Sequence, residues 1–211
     1  MNKSQSGFTL VEIAIVLVII GLLLGGVLKG QELINQAKIK NVANDLNGIS
    51  AAIYAYQDRY KRLPGDDPGA GRWALIAAPG NGDNTIGGGY SSTTNTDESR
   101  LFWAELRLAG FVAGATDTLA NAASQPLNAA GGIMGAQTAG FGLGGTIICT
   151  GSLPAKIAQS IDSQFDDGNA TTGNVRALVE GATPPTAVTT AVPGPDYVDN
   201  GTNLYVLCKN I

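Results

Sequence analysis

The chain has 211 residues and a formal charge of −4, and its 13 lysines and arginines are not gathered into a basic face. Bulk electrostatics therefore gives no reason to expect nucleic-acid binding. Histidine is absent, which excludes His-based acid–base catalysis, Ser-His and Cys-His triads, and most zinc and haem sites.

Residues 1–7, "MNKSQSG", form a short polar stretch whose one charge is Lys3. From Phe8 to Leu28 every position is apolar or small except Thr9 and one carboxylate, Glu12. At ~1.5 Å per residue this run makes roughly 30 Å of helix, enough to span a bilayer core. A cleavable secretory signal is the rival reading. The run is longer than a usual h-region, and "GGVLKGQ" offers no A-x-A-like site.

Beyond Lys29, residues Ile39, Val42, Leu46, Ile49, Ile53, Tyr56, Tyr60 and Leu63 recur at alternating spacings of three and four. That is one apolar stripe on an amphipathic helix. Lys38, Lys40, Asn44, Asp45, Gln57, Asp58 and Lys61 occupy the other face. No proline precedes Pro64, and "LPGDDPG" is a stop signal. The pattern predicts one helix over about 8–62, apolar all round in its first half and one-sided in its second.

The remainder, 64–211, is rich in Gly, Ser, Thr, Asn and Ala and predicts short strands joined by long loops. Residues 64–96 read as a loop. "TDESRLFWAELRLAG" predicts a short helix capped by Thr96 or Asp97 and closed by Gly110. The stretch 113–145 reads as a second loop. "TIIC" (146–149) predicts a buried strand. "SLPAKIAQSIDSQFDDGN" predicts a helix capped by Ser152 and ending at Gly168. "NVRALV" and "NLYVLCK" predict two further strands.

"GFGLGG" (140–145) matches G-x-G-x-x-G, but a strand-like segment follows it where a phosphate cradle needs a helix. "GNGDNTIGGG" places Asn81, Asp83 and Asn84 in a glycine-rich loop, a possible weak calcium site. It lacks the acid, glycine and closing glutamate of an EF-hand. Asp66-Asp67 and Asp166-Asp167 read as turn chemistry at helix ends. Trp73, Phe102 and Trp103 read as core or subunit contacts. Asn169-Ala-Thr and Asn200-Gly-Thr are N-glycosylation sequons.

"SGFTLVEIAIVLVIIGLLL" resembles the N-terminus of type IV pilins and type II secretion pseudopilins. The resemblance covers the first 25 or so residues, and the stripe from Ile39 to Leu63 extends it to a pilin-type helix. It implies an α+β pilin-like fold, with the long helix packed on a small antiparallel sheet with long loops. It implies a leader, 1–7, removed by an inner-membrane prepilin peptidase that cuts between Gly7 and Phe8 and methylates the new amine. Residues 8–28 become the transmembrane and filament-core helix, 29–63 its amphipathic half and 64–211 the globular head. The chain is then a peptidase substrate and not an enzyme, with no cofactor beyond the weak calcium loop. Its partners are copies of itself and related pilins, the peptidase, an inner-membrane assembly platform and the membrane, with no nucleic acid expected. It resides in the bacterial inner membrane before assembly and afterwards in a periplasm-spanning or cell-surface filament.

A carboxylate inserted centrally in a bilayer costs roughly 2.5–3.5 kcal/mol, and less near the interface or a helix N-terminus. Its natural partner is the cationic amine created at Phe8, and the family role carried to Glu12 is to align an incoming subunit with the growing fibre. Cys149 and Cys208 match the disulfide that bounds the C-terminal region of many pilins. Lys29 stands where many pilins have a proline near the end of the apolar segment. Gly21, Gly25, Gly26 and Gly30 cluster there, as helix-weakening positions in a fibre or small-residue packing in a membrane. The rival roles are a pseudopilin acting as a periplasmic piston and a minor tip pilin with an adhesive role.

Overall fold

A computed structural model describes residues 9–181 and 185–211. The chain divides into two compact units, Met1–Ala37 and Lys38–Ile211. Helix α1 runs from Leu10 to Tyr60. In the first unit its apolar side chains are exposed. Leu10 is 91% exposed, and Leu17, Leu22, Leu23 and Ile34 are exposed as well. It is a helix long and apolar enough to cross a membrane.

In the second unit the same helix turns one-sided, because the spacing of Val42, Leu46, Ile49, Ile53 and Tyr56 puts them in one buried row. Ile39 and Tyr60 are half-buried at the ends of that row, and Leu63 closes it just past the helix. A left-handed residue, Lys61 (φ 56°), ends α1 before the Pro64 turn.

The row packs on a four-stranded sheet. Its strands are β1 (Met134–Gly140), β2 (Leu143–Pro154), β3 (Val175–Val179) and β4 (Leu204–Asn210), in the order β1-β2-β4-β3. All three pairings are antiparallel. Side chains alternate across a strand, so the consecutive apolar residues of β2 and β4 feed two cores. Ile148, Tyr205 and Leu207 face the core shared with α1. Ile147, Cys149, Val206 and Cys208 face a second cluster that contains Tyr90, Phe141 and Leu143.

Helix α2 (Glu98–Leu108) adds Phe102, Trp103 and Leu106 to the α1 core, and α4 (Ala155–Phe165) adds Ile157 and Ile161. A four-residue helix, α3 (Leu119–Ala122), is capped by Thr118. The result is the expected α+β pilin-like architecture, a long N-terminal helix packed on a small antiparallel sheet.

The structure corrects two local expectations. The stretch 113–145 is not loop throughout, since β1 occupies Met134–Gly140. "GFGLGG" is the β1–β2 hairpin turn, in which Phe141 (φ 52°) and Gly142 (φ 73°) are both left-handed, as a type I′ turn requires. Ser152 does not cap α4. The β2–β4 ladder continues to Leu153 and Pro154, so the helix cannot begin before Ala155. Ser152 instead sits at the ladder's irregularity with φ 56°.

Candidate processing and assembly site

Gly7 and Phe8 lie outside the described residues, so the site is built from Thr9 onward. Glu12 is in the first turn of α1, where backbone N–H groups have no intrahelical acceptor. Its Oε2 accepts the backbone N–H of Thr9 at 2.8 Å and is also 2.8 Å from the Thr9 hydroxyl. Glu12 N–H in turn donates to Thr9 Oγ1 at 3.2 Å. This is a reciprocal capping box, with Thr9 in the cap position and Glu12 three residues on.

Chemically, the box fixes a negative charge at the mouth of an exposed apolar helix and presents it toward the chain start. A cation formed at Phe8 would lie one residue from Thr9. Thr9 went unassigned in the sequence reading, although the T-x-x-E spacing of "TLVE" is the signal that marks it.

The other candidate residues lie in the second unit. Cys149 and Cys208 are direct cross-strand partners of β2 and β4, with Cα atoms 4.0 Å apart and sulfurs 2.11 Å apart. Their disulfide ties the last strand to the sheet's longest strand.

Asn81, Asp83 and Asn84 form a tight loop. Asn81 Oδ1 accepts Asp83 N–H at 2.9 Å, and Asp83 Oδ1 accepts Thr85 N–H at 2.9 Å and the Thr85 hydroxyl at 2.6 Å. These Thr85 bonds hold the Asp83 carboxyl below its ordinary range. The Asp83 and Asn84 N–H groups both point at Asp66, at 3.2 and 2.6 Å. A calcium cage needs six to eight oxygens converging on one point, and this loop directs Asn81 and Asp83 oxygens to its own donors, so the set does not fit one.

The acidic group Asp162, Asp166 and Asp167 is likewise engaged locally. Asp162 accepts from Gly168 N–H and the Tyr197 hydroxyl, Asp166 from Val175 N–H, and Asp167 from Asn169 N–H. Phe102 and Trp103 are fully buried core residues, and Trp73 is half-buried against Tyr60.

The fold and this terminus define a class: an α+β protein whose sheet-packed helix continues into an exposed apolar segment headed by a capped carboxylate. Residues 2–28 match the family described as the prokaryotic N-terminal methylation motif. The chain therefore carries the class III signal of type IV pilins and pseudopilins at the head of a pilin-like fold. No curated protein and no solved structure matches the chain.

Proposed function

We propose that the chain is a structural subunit of a type IV pilus-like filament, processed between Gly7 and Phe8 and assembled through α1. The observation that carries this reading is Glu12, held by Thr9 at the start of an apolar helix that the chain's own fold leaves uncovered. Lipid covers that helix before assembly, and the helices of neighbouring subunits cover it afterwards. The methylated amine of Phe8 on a neighbouring subunit then competes with Thr9 for the Glu12 carboxylate and sets the register.

Moving so apolar a helix out of lipid needs an assembly platform and its energy source, both supplied by other proteins. The subunit itself performs no catalysis. The disulfide-bounded β2–β4 sheet favours a pilus subunit over a periplasmic pseudopilin.

The test is filament assembly by Glu12→Ala. The substitution leaves membrane insertion and head folding intact and blocks or misregisters fibres. Normal fibres from this variant refute the role given to Glu12. Wild-type chain that supports secretion and is missing from sheared surface fibres would make it a pseudopilin.

A further inference from the structure

Glu105 lies in α2, fully buried, and filament assembly makes no use of it. Its Oε2 accepts the Gly65 N–H at 2.7 Å and stands 3.0 Å from Tyr56 Oη, while its Oε1 is buried with no hydrogen-bond partner among the described residues. Tyr56 Oη, carried by α1, also stands 2.8 Å from Asp67 Oδ2. Asp67 receives Arg72 Nη1 on that same oxygen at 2.8 Å, and its Oδ1 accepts the Gly69 N–H at 2.7 Å.

The protons do not balance if both carboxyls are ionised. A phenol has one O–H and can donate to one of them. The other contact would set two acceptors against each other, so a carboxyl must supply the second proton. Asp67 is the anion, because the Arg72 guanidinium lies against it. Among the described residues no cation forms an ion pair with Glu105, and its unpartnered Oε1 is tolerable as an acid carbonyl but costly as a carboxylate oxygen.

We propose that Glu105 is a neutral carboxylic acid in the folded head, and that its proton latches the 63–73 loop onto α1 and α2. Glu105 Oε2–H donates to Tyr56 Oη, Tyr56 donates to Asp67, and Arg72 holds Asp67. The titratable and charged groups facing Glu105 are Tyr56 from α1 and Asp67 and Arg72 from the loop. The segment after α2 brings the uncharged Phe111 ring, 6.3 Å from that of Tyr56.

Burial pushes the Glu105 carboxyl up to about 8, against the lowering by Gly65 N–H and Tyr56, and the Asp67 charge adds to the rise. Burial likewise raises the Tyr56 phenol, so it keeps its proton. Because the folded value lies above the ordinary one, the stability that the latch contributes is complete below the ordinary carboxylate range and is lost as pH rises through about 8. Ionisation leaves two carboxylates on one phenol and undocks the loop. Arg72 stacks over Tyr60 at 4.4 Å and Trp73 at 4.7 Å, so undocking would change the surroundings of Trp73.

The test is infrared spectroscopy of the full chain in detergent, with tryptophan fluorescence and thermal melts between about pH 6 and 9. At neutral pH the wild type shows a protonated-carboxyl stretch that Glu105→Gln lacks. Raising the pH removes that stretch with a midpoint near 8, changes the fluorescence and lowers the melting temperature. Glu105→Gln, whose amide donates to Tyr56 in place of the acid but gives up the bond from the Gly65 N–H, is less stable than the wild type at neutral pH and shows none of this pH dependence. No protonated-carboxyl stretch in the wild type overturns the proposal. So does a stretch that survives Glu105→Gln and disappears in Asp67→Asn, which would place the proton on Asp67.

Discussion

Cys149 and Cys208 face one another across β2 and β4, with Cα atoms 4.0 Å apart and a sequence separation of 59. The bond therefore closes a long loop that includes α4, β3 and the Pro/Thr-rich segment before β4. A loop of that length is nominally worth about 4 kcal/mol in the chain-entropy account. The double variant Cys149→Ser/Cys208→Ser lowers the melting temperature of the head. An unchanged melting temperature would mean that the β2–β4 ladder alone holds the last strand.

Leu46 is fully buried in the middle of the α1 row. Leu46→Ala removes packing against the sheet and leaves a cavity, at a cost of about 3 kcal/mol. Leu23→Ala, on the exposed half of the helix, leaves the head's melting temperature unchanged. Thermal melts of the two variants check the contrast, and equal losses would contradict the assignment of two environments to one helix.

That contrast was legible in the sequence, because the stripe from Ile39 to Leu63 has helical spacing and the segment before it has none. Strand β1 was not legible. "MGAQTAG" has no β-branched run and only one large apolar residue, and its strand form is imposed by pairing with "TIICT" of β2. The small residues there answer to backbone approach. A Cβ on Gly135 would come within 2.3 Å of the Tyr90 carbonyl oxygen. Ser152 misled for a related reason: it has the chemistry of a cap but falls inside a ladder whose length depends on Tyr205 and Leu204, far along the sequence. Glu105 reads in sequence as one more charge on a short helix, and only the meeting of α1, α2 and the 63–73 loop makes it a buried acid.

Gly135→Val tests the close approach of the Tyr90 loop to β1. Tyr90 is fully buried and forms part of the sheet's second core, so the loop cannot retreat cheaply. The variant loses more than about 3 kcal/mol or fails to fold, a loss of the size that overpacking reaches. Far-ultraviolet circular dichroism and melts report it, and a wild-type melt would show that the loop is free to move.

Asp162 predicts a second, more acidic pH dependence. Burial pushes its carboxyl up to about 6, against hydrogen bonds from Tyr197 and Gly168, with Asp167 and Asp166 adding to the rise. The folded value exceeds the ordinary value of 3.8, so the contribution is complete below that and is lost as pH rises through about 6. Stability of the wild type therefore declines between about pH 4 and 6, and Asp162→Asn flattens that decline. A slope unchanged in the variant assigns it to other groups.

The most direct measurement of the central claim is the N-terminal mass of the chain recovered from a host that contains a prepilin peptidase. The account predicts a chain that begins at Phe8 with a methylated amine, which places the new cation one residue from the Thr9–Glu12 capping box. A chain that keeps residues 1–7 in that host would contradict it, leaving Glu12 without the partner on which the filament reading depends.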